Sequence, residues 1–248
     1  MHWLRRYGRL LRLASHILNG VLLTILLGGL LRMSFDTPLY QRVTQWWLRQ
    51  IPRILGVRVN VYGEPAATPV LMVANHISWL DIALLGGYSQ PRFLSKQEVR
   101  TWPVVGWLAA TSGTLFITRG KAGAAAQAAA TIGEALQAGR TVLLFPEGTT
   151  TTGNDVRTFH ARLLAPALDA GIAVQPVALR YPQEDGLTHP LIPYVDRQSL
   201  WDNLQGILGE PCFSAEIHFL PVLQTAGTDR KTVAAACEQQ IRNIVRQI

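Results

Sequence analysis

A histidine and an aspartate five positions apart, His76 and Asp81, carry the strongest chemical signal in this chain of 248 residues. They sit in Asn75-His76-Ile77-Ser78-Trp79-Leu80-Asp81, directly after the apolar run Val70–Ala74. On a continuous helix, residues five apart lie on different faces, because only i+3 and i+4 neighbours meet. The spacing therefore predicts His76 in the turn before a helix and Asp81 within its first turn. There a carboxylate can accept from one imidazole nitrogen, fix the tautomer and leave the other nitrogen to take a proton. A plainer reading exists for each residue. Ser78-x-x-Asp81 has capping-box spacing with Asp in the place of Glu, which is helix architecture alone, and a lone histidine is as often structural as catalytic.

Three further stretches follow. Gly113–Arg119 reads as a strand ending in an arginine, whose guanidinium suits bidentate binding of phosphate or carboxylate; standing alone, it would be a surface ion pair. Phe145-Pro146-Glu147-Gly148-Thr149-Thr150-Thr151-Thr152-Gly153 runs from an apolar strand into a turn. Gly148 permits a tight turn with backbone N–H groups open to an anion, the threonines add hydroxyls, and Glu147 is placed to bind substrate hydroxyls or to position the loop. A turn with exposed threonines is the bland alternative. In Val174–Leu179, Pro176 interrupts a buried strand and argues for an edge or a bulge.

The elements that must position these residues alternate. Strand-like runs are Val57–Tyr62, Val70–Ala74, Arg92–Ser95, Leu115–Thr118, Thr141–Phe145, Ala173–Arg180 and Ala215–Leu220. Helix-like runs include Ala-rich Lys121–Ala138, stopped by Gly139, a stretch from Thr158 to Gly171, and one from Thr228 to the C-terminus. The pattern predicts an α/β fold, a largely parallel twisted sheet flanked by helices. All four motifs then fall at strand ends or loops, where open sheets of this kind bind ligands.

The N-terminus is different. Leu13–Leu31 has 19 residues without a charge, near the length of a spanning helix. Thr37-Pro38 then starts an amphipathic stretch with Trp46 and Trp47 beside Arg42, Arg49 and Arg53, the composition of a helix in the headgroup layer. His16, Asn19 and Gly20 weaken a simple span. Nine arginines against the single acid Asp36 lie in residues 1–58, so the net charge of +7 belongs to this region, where it would attract anionic lipid. Arginines on both sides of the apolar run leave orientation open between one span and a helix pair in one leaflet. The division expected is a helical membrane anchor over 1–54 and a catalytic domain over 55–248. Cys212 and Cys237 are far apart, without metal or disulfide spacing.

Together the four motifs, in this order between residues 75 and 179, resemble the glycerolipid acyltransferase family, which includes 1-acylglycerol-3-phosphate acyltransferases. The resemblance implies His76 as general base, Asp81 as its orienting partner, and direct attack of an acceptor hydroxyl on a thioester, with no acyl-enzyme, cofactor or metal. Arg119 would contact an acceptor phosphate. Asn75, Glu147, Gly148, Thr149 and Thr150 would help hold the acceptor. The implied donor is acyl-CoA or acyl carrier protein and the first acceptor is lysophosphatidic acid, giving phosphatidic acid. The implied place is a bacterial inner membrane, with the site facing the cytoplasm. One departure stands out: many members have arginine where this chain has Thr150. The Thr-rich block also resembles the branch containing lyso-ornithine lipid acyltransferases, whose acceptor bears a carboxylate and an amine, so that acceptor is the alternative. Other classes lack their signatures. There is no Gly-x-Ser-x-Gly elbow, no P-loop or Gly-x-Gly-x-x-Gly turn and no third zinc ligand near His76. Apolar residues interleave the basic ones, against a nucleic-acid arm. A silent membrane-binding module would not need the His76/Asp81 pair.

Overall fold

The computed structural model describes residues 2–118, 123–195 and 198–246. It contains β1 (Val57–Tyr62), β2 (Leu71–Ala74), β3 (Arg92–Lys96), β4 (Leu115–Ile117), β5 (Val142–Leu144), β6 (Val174–Arg180) and β7 (Phe213–Phe219). These form one sheet in the order β1-β7-β6-β2-β5-β3-β4. Every pairing is parallel except β6 with β7. The helices are α1 (His2–Thr24), α2 (Pro38–Leu55), α3 (Leu80–Tyr88), α4 (Val105–Thr111), α5 (Ala124–Gln137), α6 (Ala165–Asp169), α7 (Leu200–Gly209) and α8 (Arg230–Val245).

Period-two alternation on the central strand divides the core into two layers. On β2, Met72 and Ala74 join the layer containing Leu80, Leu84, Leu143 and Val177. Leu71 and Val73 join the opposite one, with Ile132, Leu136, Cys237 and Ile241 from α5 and α8. With both faces covered, β2 is buried at every position, as a central parallel strand must be.

Two expectations change. The stretch after Thr158 is not one helix but a 3₁₀ turn, Ala161–Leu164, followed by the short α6. Its beginning is held extended: His160 N–H donates to the Pro146 carbonyl and Phe159 N–H to Glu238, and Pro166 has no N–H to continue a longer ladder. Pro176 lies in an interior strand, not at an edge. The bulge reading accounts for it, because between the Val174–Leu223 and Val177–Phe219 pairings the partner carries one extra residue.

The N-terminal helices form an antiparallel hairpin lying on the sheet layer, with Leu13 and Leu55 in its core. The helical run Trp3–Leu30 is long and apolar enough to cross a membrane. Its His16 faces α2. His16 stacks on Trp47 with ring centroids 4.7 Å apart. Trp47 Nε1–H donates to the His16 carbonyl at 3.0 Å, and a side chain at Gly20 would meet the Trp47 ring at 2.7 Å. Gly20 is therefore the gap that lets the helices touch. Three of the arginines assigned to lipid serve the fold instead. Arg5 and Arg9 donate to carbonyls of Gly209 and Pro211 at the C-terminus of α7, and Arg49 to Gly87 near the end of α3. Cations there also complement the helix dipole.

Candidate active site

The site forms where the chain leaves β2 and β5. Asn75, fully buried, follows β2; its side chain accepts from Leu179 N–H at 2.8 Å and donates to the Leu179 carbonyl at 3.0 Å. Expected as an acceptor contact, it acts here as a staple joining the His76 loop to β6. His76 follows in the turn and Asp81 lies in the first turn of α3. His76 Nδ1 and Asp81 Oδ2 are 2.7 Å apart; the histidine side chain is 21% exposed and Asp81 is fully buried. The same Oδ2 accepts from the N–H groups of Ile77 at 2.7 Å and Ser78 at 3.0 Å. One carboxylate oxygen thus meets both the imidazole and the two backbone donors at the start of α3. The imidazole stacks on Phe145, centroids 3.9 Å apart, which fixes its plane. Asp81 takes Nδ1–H, so the Nε2 lone pair faces outward.

Glu147, expected to bind substrate hydroxyls or to position the loop, is turned inward: it is 5% exposed, and its two oxygens accept from His76 N–H and Arg157 N–H, each at 2.8 Å. It therefore ties the His76 loop to the far end of the threonine loop. Burial pushes its carboxyl up to about 7, against the two backbone donors that pull it down. Gly148 adopts φ 74, as the tight turn requires, but its N–H donates to the Phe145 carbonyl and closes the turn rather than waiting for an anion. Thr150 donates its hydroxyl to the Tyr194 carbonyl, whereas Thr149 is exposed. Arg119 lies outside the described residues.

Two residues that the motifs did not single out join the site. Thr151 donates through its N–H at 2.8 Å and its hydroxyl at 3.2 Å to the His76 carbonyl. Tyr181, just past β6, donates its hydroxyl to Asp81 Oδ1 at 2.5 Å. Thr151 lies inside the threonine run and is legible there. Tyr181 carries no motif signal. An open cleft of about 430 Å³ adjoins the loop, lined by Thr149–Thr152, Asp155, Val156, Arg157 and Val195. Asp155 is not a free anion there: Arg246 and Arg242 pair with it and hold it at about 2, below the usual carboxylate range. Among the described residues, no three His, Cys, Asp or Glu side chains gather as a metal centre needs.

An outward imidazole nitrogen on a partly exposed histidine, held by a buried carboxylate, can take a proton from a hydroxyl. Residues 58–180 match the acyltransferase family model. A lyso-ornithine lipid O-acyltransferase of Pseudomonas aeruginosa is 46% identical over 83% of this chain and 79% of its own length. A 1-acyl-sn-glycerol-3-phosphate acyltransferase of Neisseria gonorrhoeae is 35% identical over 77% and 75%. In fold, the chain matches the crystal structure of a 1-acyl-sn-glycerophosphate acyltransferase of Thermotoga maritima, with TM-score 0.65, 22% identity and coverage of 96% and 97%. On these grounds the chain belongs to the acyltransferase family, and it is an acyltransferase.

Proposed function

We propose that this enzyme is a membrane-bound O-acyltransferase that acylates the free hydroxyl of lyso-ornithine lipid, with His76 as base. The reading rests chiefly on the His76–Asp81 pair, whose buried carboxylate at 2.7 Å leaves one basic nitrogen facing solvent. As the acceptor oxygen attacks the thioester carbonyl, His76 takes its proton. The carbon–sulfur bond breaks, and the departing thiolate of acyl-CoA or acyl carrier protein receives a proton. Asp81 stabilises the transient imidazolium.

For the acceptor, the motifs alone place lysophosphatidic acid first; two observations favour the alternative. The relative at 46% identity is a lyso-ornithine lipid enzyme. Thr150 stands where many members carry a phosphate-binding arginine, and its hydroxyl is committed to Tyr194. That leaves Arg157 as the cation lining the cleft among the described residues, matched to one carboxylate. Assaying both lysolipids in parallel tests this. Thr150→Arg should raise phosphatidic acid formation relative to ornithine lipid formation, and an unchanged ratio would contradict the acceptor assignment.

The hairpin supports membrane attachment from one side. Trp3, Leu11, Leu18, Leu22, Leu30 and Trp46 are exposed apolar residues on it. Asp36, in the loop between its helices, pairs with Arg92 and Arg140 of the catalytic part. A span through the bilayer would carry Asp36 away from both. The hairpin therefore fits a leaflet-embedded anchor better than a single span, and residues 1–54 act as the anchor while still packed on the rest.

A further inference from the structure

Asp81 spends its two oxygens unequally. Oδ2 takes the imidazole and two backbone N–H groups, whereas Oδ1 takes the Tyr181 hydroxyl at 2.5 Å. Tyr181 is completely buried, and its ring fills the sheet layer behind α3. We propose that Tyr181 is a positioning residue for acyl transfer, completing a relay in which it holds Asp81 and Asp81 holds His76; this rests on the reading of His76 as base.

A fully buried carboxylate oxygen without a donor is costly, and Tyr181 is the group that satisfies Oδ1. With both oxygens bonded, the carboxylate is held in one orientation and keeps Oδ2 on Nδ1 while Nε2 works. Burial, then the Asp81 charge, raise the phenol well above its ordinary value, so it remains a donor wherever the enzyme operates. Among the described residues, two other titratable side chains bond to the pair. Glu147 faces it from the loop after β5, bonded to His76 N–H, and Tyr181 faces it from the end of β6. Among the described residues no arginine or lysine bonds Asp81.

Tyr181→Phe removes the hydroxyl and keeps the ring. In the full-length enzyme, Asp81 loses one of the two anchors that aim the imidazole, so kcat should fall roughly ten- to a hundredfold, with acceptor KM within about threefold. The acid limb of the pH–rate profile should move to higher pH, because a carboxylate lacking its second donor binds the imidazolium more tightly. In an Asp81→Asn background the same change should cost less than about threefold. A merely structural tyrosine would lower both backgrounds equally and leave the limb in place, and either result overturns the proposal. A 3-fluorotyrosine at position 181, nearly isosteric and a stronger donor, should move the limb the opposite way; it decides the matter if the phenylalanine variant does not fold, and an unmoved limb again refutes. If His76→Ala abolishes transfer but Tyr181→Phe is silent, the relay alone fails; if His76→Ala is active, the catalytic reading fails first.

Discussion

Replacing Glu147 by glutamine tests whether a buried carboxyl in the site titrates near neutrality. Its ordinary value is 4.5, and burial lifts it to about 7 despite the N–H donors of Arg157 and His76. With the folded value above the unfolded one, the folded protein keeps a proton that the unfolded chain has already released. Stability from this group is therefore complete below pH 4.5 and is lost as pH rises through 7. A rise of that size corresponds at most to about 3 kcal/mol. The amide of the Glu147→Gln variant does not titrate, so the native-minus-variant stability should decline by up to that amount across the window. For a chain of this length, about 1 kcal/mol moves Tm by roughly 2–4 °C. The difference between the two melting temperatures should thus fall by roughly 6–12 °C at most between about pH 4.5 and about pH 8. Thermal melting followed by circular dichroism, on both proteins in the same detergent, measures it. A difference that stays constant with pH would show that the carboxyl is ionised throughout and that the two donors outweigh burial.

Other perturbations reach other parts of the account. Gly20→Ala places a methyl carbon 2.7 Å from the Trp47 ring; overpacking of this kind costs about 1–3 kcal/mol, so Tm should drop by several degrees, and an unchanged Tm would show that the hairpin yields freely. Asp36→Asn removes the carboxylate between Arg92 and Arg140; Asp36 is partly exposed, so the cost should stay near about 1–2 kcal/mol, read as faster proteolysis of the loop between α1 and α2. Deleting residues 1–54 should release the protein from anionic vesicles in a flotation assay, with continued binding placing the anchor elsewhere; because Leu13 and Leu55 sit in one core layer, the deletion should also lower stability.

The sheet is legible in the sequence because its strands are short apolar runs bounded by turn residues, and all seven lie where those runs fall. His76 and Asp81 are legible because a five-residue step forces one into the turn and the other into the helix. What escapes the sequence depends on long-range partners. Asn75 and Glu147 are polar residues in a functional motif, which local pattern cannot tell apart from substrate contacts; Leu179, over a hundred positions away, and Arg157 reveal them as staples. Tyr181 is invisible for the same reason, since its partner Asp81 is a hundred positions away. The segment after Thr158 has helical composition, but bonds to Pro146 and Glu238 override it. His16 and Gly20, which weaken a simple spanning helix when read as sequence, find their reason in Trp47.

The most direct measurement is acyl transfer by the purified full-length enzyme and its His76→Ala variant. Labelled acyl-CoA and acyl carrier protein would serve as donors, with lyso-ornithine lipid and lysophosphatidic acid offered side by side. The expected result is ornithine lipid formed with the higher kcat/KM, and turnover reduced about 10²–10⁴-fold in His76→Ala with lysolipid binding retained. Preferential phosphatidic acid formation would contradict the acceptor, and undiminished transfer by His76→Ala would contradict the mechanism.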